Sequence, residues 1–235
     1  RHLAHLLRLG LLPTGHIHPK EERSVRDLLR KRSQLVRHRT MHILSAKNLI
    51  LRNSGKSISV DALRKLDENA LHLLCAGANP LLLAIKSSLA VLHCLDEQIK
   101  LVERAVLTQA RLKPEFRKLL SVDGIGEIIG MTIMYEAGSM ERFEKVGNFA
   151  SYARCVASSR WSNGKKKGEN NRKNGNKYLA WAFIEAAYSA VRYNERIRKF
   201  FQRKKARTNS IVARKAVAHK LARACYHVIR AQVTI

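Results

Sequence analysis

Acidic residues are scarce in this chain: 18 Asp and Glu stand against 45 Lys and Arg in 235 residues, a formal net charge of +27. That shortage excludes the charge balance usual in a metabolic enzyme and leaves a self-repulsion that a polyanionic partner neutralises. DNA or RNA is the first candidate partner, and an acidic membrane surface is the second. Long hydrophobic runs are absent too. Asp, Gly, Lys or His interrupts every apolar stretch before it nears the roughly 18 residues that cross a bilayer. The start does not read as a signal peptide, because Arg1-His2-Leu3-Ala4-His5 leads into only a short leucine cluster before Pro13. The four cysteines, Cys75, Cys94, Cys155 and Cys225, are spaced too widely for a zinc knuckle or a redox pair, and buried reduced thiols are expected. His16 and His18 sit in a loop beside Pro19 with no companion cysteine or acidic cluster, so no metal site is expected there. No internal repeat and no useful run of alternating polarity is present, which predicts an all-α chain.

What is present is a 46% hydrophobic composition, enough for a core and incompatible with a wholly disordered basic tail. Residues 1–12 read as the end of a helix before a Gly10/Pro13 break. From Lys20 to Asn53, Val25, Leu28, Leu29, Leu35, Val36, Ile43 and Leu44 recur at helical spacing, stopped by Asn53-Ser54-Gly55. Ser59 is the expected cap of a short helix, and Pro80 suits the first turn of another that runs to about Lys113. In that helix Ile85, Leu92, Ile99 and Val106 fall seven apart, with Ser88, Leu95, Val102 and Gln109 as companions. The pattern fits an antiparallel helical hairpin or coiled-coil arm, and fits packing inside a bundle equally well. A boundary is expected at Lys113-Pro114.

Beyond it, Leu119 to Gly130 reads as a helix end, a Gly124-Ile125-Gly126 turn and a second apolar helix. This is the form of a helix-hairpin-helix, in which Ile125 anchors the turn and the amides of Gly124 to Gly126 face a DNA phosphate. Asp123 is out of keeping, since a carboxylate there repels phosphate. Residues 160–177 follow with seven cations and one acid, a local net of +6, and with three glycines and five asparagines that argue against a helix. Such a loop between apolar helices is expected to clamp a phosphate backbone through Lys165, Lys166, Lys167, Arg172, Lys173 and Lys177. Ser162, before Asn163-Gly164, is either a solvated loop serine or a nucleophile. A second basic run, Arg203-Lys204-Lys205-Ala206-Arg207, precedes the final helix and is expected to share the same nucleic-acid face.

Gly124-Ile125-Gly126, Arg142-Phe143 with Gly147-Asn148-Phe149-Ala150-Ser151-Tyr152, Ser162-Asn163-Gly164-Lys165, and Lys173-Asn174-Gly175-Asn176-Lys177-Tyr178-Leu179 occur in one order. That order resembles the transposases of the insertion-sequence-one-hundred-and-ten family, relatives of the Piv-type DNA invertases. The resemblance implies three parts: residues 1–19 as the tail of an RNase-H-like domain, 20–113 as a helical coiled-coil arm, and 114–235 as a helical transposase domain with a helix-hairpin-helix. It implies Ser162 as the catalytic nucleophile of a DNA transposase or site-specific recombinase. It also implies Mg²⁺ held by four carboxylates upstream of Arg1, with no metal ligand in this chain; Glu21, Glu22 and Asp27 are not substitutes. The opening Arg in place of Met accords with such an upstream segment. DNA as partner, a structured guide RNA as in some members, homodimers or homotetramers, and a bacterial cytoplasmic, nucleoid-associated setting follow from the same resemblance. A piece without the acidic domain is expected to bind nucleic acid and not to cut DNA alone. The alternatives are a non-catalytic helix-hairpin-helix DNA- or RNA-binding protein or inactive transposase fragment, and a basic membrane-surface or ribosome-associated protein.

Overall fold

The computed structural model describes residues 2–12, 15–75, 79–157, 159–169 and 174–230. Among these the chain is predominantly helical, as expected, with eleven α-helices, a 3₁₀ turn at Met140–Arg142 and one two-stranded sheet. Helix α1 (His2–Arg8) buries no residue and ends earlier than predicted, because Gly10 turns the chain at φ +67°.

Helices α2 (Lys20–Ser54) and α5 (Asn79–Ala110) form a long antiparallel hairpin. Arg32 on α2 meets Glu103 on α5, and seven residues further on Arg39 meets Asp96. At the tip, Gly55 takes a left-handed φ of 68° and donates its amide to the Leu51 carbonyl. The next helix, α3 (Val60–Arg64), starts at Ser59, whose side chain accepts from the Ala62 amide as predicted. Asp67 caps α4 (Glu68–Leu74) in the same way. Leu63 and Leu71 from these short helices fill the end of the arm against Ile50, Leu82 and Ile85.

The predicted heptad positions Ile85, Leu92, Ile99 and Val106 are all buried. Their companions match the predicted set only in part. Ser88, Leu95 and Val102 are half-buried and Gln109 is exposed, whereas Leu89, Asp96, Glu103 and Ala110 complete the seam four residues after each heptad position. Hydrophobicity alone hides this register, because two of the four seam positions hold carboxylates. Asp96 accepts from both Arg39 and Arg64, and Glu103 from Arg32. Each side chain of these pairs keeps some solvent contact, so removing one carboxylate is modestly destabilising. Asp96→Ala is expected to lower stability by about 1 kcal/mol, read by urea denaturation, by leaving two guanidinium groups without their acceptor.

Toward its base the arm merges with the main core. Leu29, Val106 and Ala110 pack in one cluster with side chains of α6 (Pro114–Leu120), α7 (Glu127–Ala137), α8 (Val146–Tyr152), α9 (Lys177–Tyr193) and α11 (Ser210–Arg230). Helix α5 stops at Ala110, three residues before the predicted end, and Pro114 opens α6 at a position where no N–H is needed. Helix α7 is central: every residue from Gly130 to Ala137 is buried. Helix α10 (Glu195–Arg207) lies outside, against α9 and α11, and buries only Phe201. Phe149 anchors an aromatic cluster, edge-on to Phe143 at 5.2 Å and to Phe183 at 5.9 Å.

Cys75, Cys155 and Cys225 are buried as expected, but Cys94 is exposed on α5. Burial pushes the Cys155 thiol up to about 12, which keeps it protonated and unreactive. No described helix is long and apolar enough to cross a membrane.

Candidate nucleic-acid interface

The basic segment expected as an irregular loop contains a β-hairpin. Strands β1 (Ser159–Ser162) and β2 (Lys165–Glu169) pair antiparallel, with Ser162 opposite Lys165 and Trp161 opposite Lys166. The two turn residues, Asn163 at φ 50° and Gly164 at φ 68°, are both left-handed, the geometry of the tight type I′ turn that Asn-Gly favours. A bulge at Lys167 interrupts the ladder between Arg160 and Trp161. Hydrophobic alternation could not reveal these strands, because neither face of the hairpin is buried in a core. Asn163-Gly164 was the legible signal.

Residues 161–168 are all exposed, so the hairpin projects from the helical body. Ser162 is the last strand residue before the turn, with Lys165 across from it. Trp161 is 61% exposed, and its indole N–H donates to the Ser159 hydroxyl at 2.8 Å, which steadies its ring beside the lysines. Lys177 is exposed at the first position of α9. Arg172 and Lys173 lie outside the described residues.

The Gly124-Ile125-Gly126 turn does connect two helices, α6 and α7, and Ile125 is buried in the core as predicted. Its amide donates to the Val122 carbonyl at 3.0 Å, which takes it out of the set of amides expected to face phosphate. Gly124 serves packing: at φ +85°, an added Cβ would lie 2.4 Å from the Ala186 carbonyl oxygen on α9. Gly126 caps α7 and faces open space. Asp123, out of keeping in a phosphate turn, has a structural partner, since its carboxylate accepts from the Asn194 side chain at 2.6 Å. Asn194 in turn caps α10 through the Ile197 amide.

This contact places the glycine turn beside the start of α10. On that helix Arg196, Arg198, Lys199, Arg203, Lys204, Lys205 and Arg207 are all exposed, with Glu195 as its acid. The second basic run is therefore one end of a longer cationic helix. The hairpin leads into the beginning of α9 and α10 leaves from its end. The 17 residues of α9 put about 25 Å between its two ends. The structure thus joins the glycine turn to α10 and sets the serine hairpin at the other end of a shared helix.

Sequence patterns gave no hint of Glu136. It is 1% exposed in the heart of α7, and its carboxylate accepts from the Arg30 guanidinium at 2.6 and 2.8 Å and from the Asn176 amide at 2.7 Å. Asn176 also caps α9 by accepting from the amides of Tyr178 and Leu179. Arg30 is stacked 4.7 Å from the Tyr178 ring centre, and its hydrogen bond to Glu136 raises its pKa further above the usual arginine range. One buried carboxylate thereby ties the arm, the core and the exit of the basic segment together. Above it, a groove of about 410 Å³ runs between α2 and Tyr178, lined by Arg30, Lys31, Arg37 and His38 against one acid, Asp27. Among the described residues, no three His, Cys, Asp or Glu side chains gather where a metal could bind.

Fold and charge together define a class: a predominantly helical domain whose outer elements, a hairpin and the exposed helix α10, are cationic. Residues 116–202, from α6 through the hairpin and α9 into α10, match the model of the Transposase IS116/IS110/IS902 family. The chain is also 28% identical over 178 residues to a protein of Pseudomonas aeruginosa described as a probable family 20 transposase. That similarity covers 73% of this chain and 52% of the relative, so the chain matches about half the length of the curated protein. The match falls on the stretch that holds the ordered glycine, serine and lysine motifs.

Proposed function

We propose that this chain grips DNA through its phosphate backbone and presents Ser162 as the nucleophile of an insertion-sequence transposase. The observation that carries the reading is the Asn-Gly hairpin, which lies inside the family-matched region. It holds Ser162 at an exposed tip, directly across from Lys165 in a segment rich in lysine. A serine displayed on a projecting cationic hairpin can reach a phosphodiester that a buried serine could not. The Ser162 oxygen attacks phosphorus and forms a phosphoserine ester. One P–O bond to the deoxyribose breaks, and the departing sugar hydroxyl carries away a proton, balancing the one lost by serine. The lysines stabilise the added negative charge on the phosphoryl oxygens as it develops.

The test is covalent trapping in reactions of the natural gene product with DNA from its own locus. Wild type is expected to give a protein–DNA adduct that maps to Ser162, and Ser162→Ala to give none. Adducts persisting in the alanine variant would remove the nucleophile from the scheme. A binding-only role is favoured by α10, whose exposed cations lie on a separate element and ask nothing of the serine. Under that role Ser162→Ala leaves every measurable property intact.

A further inference from the structure

One cluster of polar side chains has no part in the scheme above. It lies where the loop before α2 meets the turn after α7. Gly138 ends α7 at φ +64°, and where its Cβ would stand two imidazole nitrogens converge, His18 Nδ1 at 3.1 Å and His16 Nε2 at 3.5 Å. The two rings meet edge to face with centroids 4.8 Å apart. Arg26 from α2 and Arg142 from the 3₁₀ turn are close enough to both imidazoles to act on them electrostatically. His18 is only 6% exposed, and its Nδ1 has no hydrogen-bond partner among the described residues. The same holds for buried Arg26 Nε and Arg142 Nη2.

Arg142 is not free to swing away. Its Nε donates to the Ala137 carbonyl at 2.9 Å, and its guanidinium lies 4.2 Å from the Phe143 ring centre and 4.4 Å from that of Tyr152. Three buried nitrogens in one locality, two of them on fixed charges, are costly unless an acceptor serves them. Two guanidinium groups repel a metal cation, so two converging imidazoles here do not amount to a metal site. An oxyanion with several oxygens meets the whole donor set, and a tetrahedral phosphate suits guanidinium geometry best.

We propose that His16, His18, Arg26 and Arg142 form a phosphate-binding notch over Gly138. The phosphate belongs either to a nucleic-acid backbone or to a free phosphate ion. The first source rests on the DNA-binding reading above, and the second does not. The position favours a strand that continues past the core: Tyr152, stacked on Arg142, accepts through its carbonyl from the Asn176 amide at the exit of the basic segment. Burial foremost, then Arg26, His16 and Arg142, holds the His18 imidazole down to about 4, with Glu136 opposing them. His16 is lowered by the same surroundings, with Glu22 opposing. A bound phosphate adds negative charge beside both rings and raises their pKa.

The test follows the histidine imidazole resonances of the intact chain by NMR during pH titration. One arm adds inorganic phosphate; the other adds an oligothymidylate with no terminal phosphate. A saturable shift of His18 with an upward pKa change on the order of one pH unit is expected in the oligothymidylate arm. The shift should vanish in Arg142→Gln and in Arg26→Gln. The second variant guards against misfolding of the first, since among the described residues Arg26 makes no stacking contact of the kind that fixes Arg142. Response to inorganic phosphate alone supports the notch and assigns it to free phosphate. If neither ligand moves His18, or if both arginine variants respond like wild type, the notch is overturned. Oligothymidylate binding that persists without a His18 response leaves the wider DNA-binding reading standing, so the two failures are distinguishable.

Discussion

Gly124→Ala is expected to destabilise the protein by about 3 kcal/mol or more, the sum of a left-handed backbone forced on alanine and an overlap with packed backbone. The φ of +85° alone disfavours any L side chain. The larger part is steric: the new Cβ would lie 2.4 Å from the Ala186 oxygen, 2.7 Å from the Ala190 nitrogen and 2.8 Å from the Ala190 Cβ. These atoms belong to the body of α9, a helix packed against both α7 and α11, so no flexible side-chain end can yield. The turn must lift away and take the Asp123–Asn194 bond at the head of α10 with it. Urea denaturation reads the loss directly. Gly126→Ala is the control, because its backbone is extended at φ −91° and nothing stands within 4 Å of the added methyl. It should cost about 1 kcal/mol, the difference between glycine and alanine at a helix cap. Equal effects at the two glycines would contradict a packing role for Gly124.

Glu136→Ala is expected to cost about 3 kcal/mol, in the range for removing one partner of a buried ion pair. The Arg30 guanidinium loses both of its bonds to the carboxylate, and the Asn176 side chain loses its acceptor at 2.7 Å. The damage should extend beyond global stability. Asn176 orients the first turn of α9 by accepting from the amides of Tyr178 and Leu179. Once its own anchor is gone, those two amides should exchange with solvent faster than amides in the middle of α9. Glu136→Gln retains shape and one acceptor and should fall between wild type and alanine. Hydrogen exchange that left Tyr178 and Leu179 as protected as in wild type would separate Glu136 from the cap.

Much of the helical body was legible from periodicity and caps. Ser59 caps α3 as read, Pro80 lies in the first turn of α5, and the four heptad residues from Ile85 to Val106 are buried. What escaped did so for physical reasons. The companion face of α5 was read only in part because carboxylates at Asp96 and Glu103 occupy seam positions, where their worth comes from arginines on other helices. The β-hairpin escaped because its strands carry lysines on a projecting element and bury no face. Glu136 escaped because one acid in an apolar helix gains its meaning only from Arg30, 106 residues away in the chain. The glycine turn was read correctly as a turn between helices, but its first glycine meets α9, and no local pattern contains that contact.

The cationic hairpin and α10 make a claim that one titration reaches most directly: they bind a nucleic-acid backbone through its charge. Binding of this chain to a DNA duplex, followed as log K against log [salt], should fall steeply. Each phosphate neutralised contributes a slope of about −0.9, so contacts from roughly five or six of the exposed cations give a slope near −5. Replacing Arg203, Lys204, Lys205 and Arg207 together by glutamine should make the slope shallower and leave the fold intact, since all four side chains are exposed. A slope near zero in the wild-type chain would contradict the assignment of the +27 charge to a DNA-facing surface.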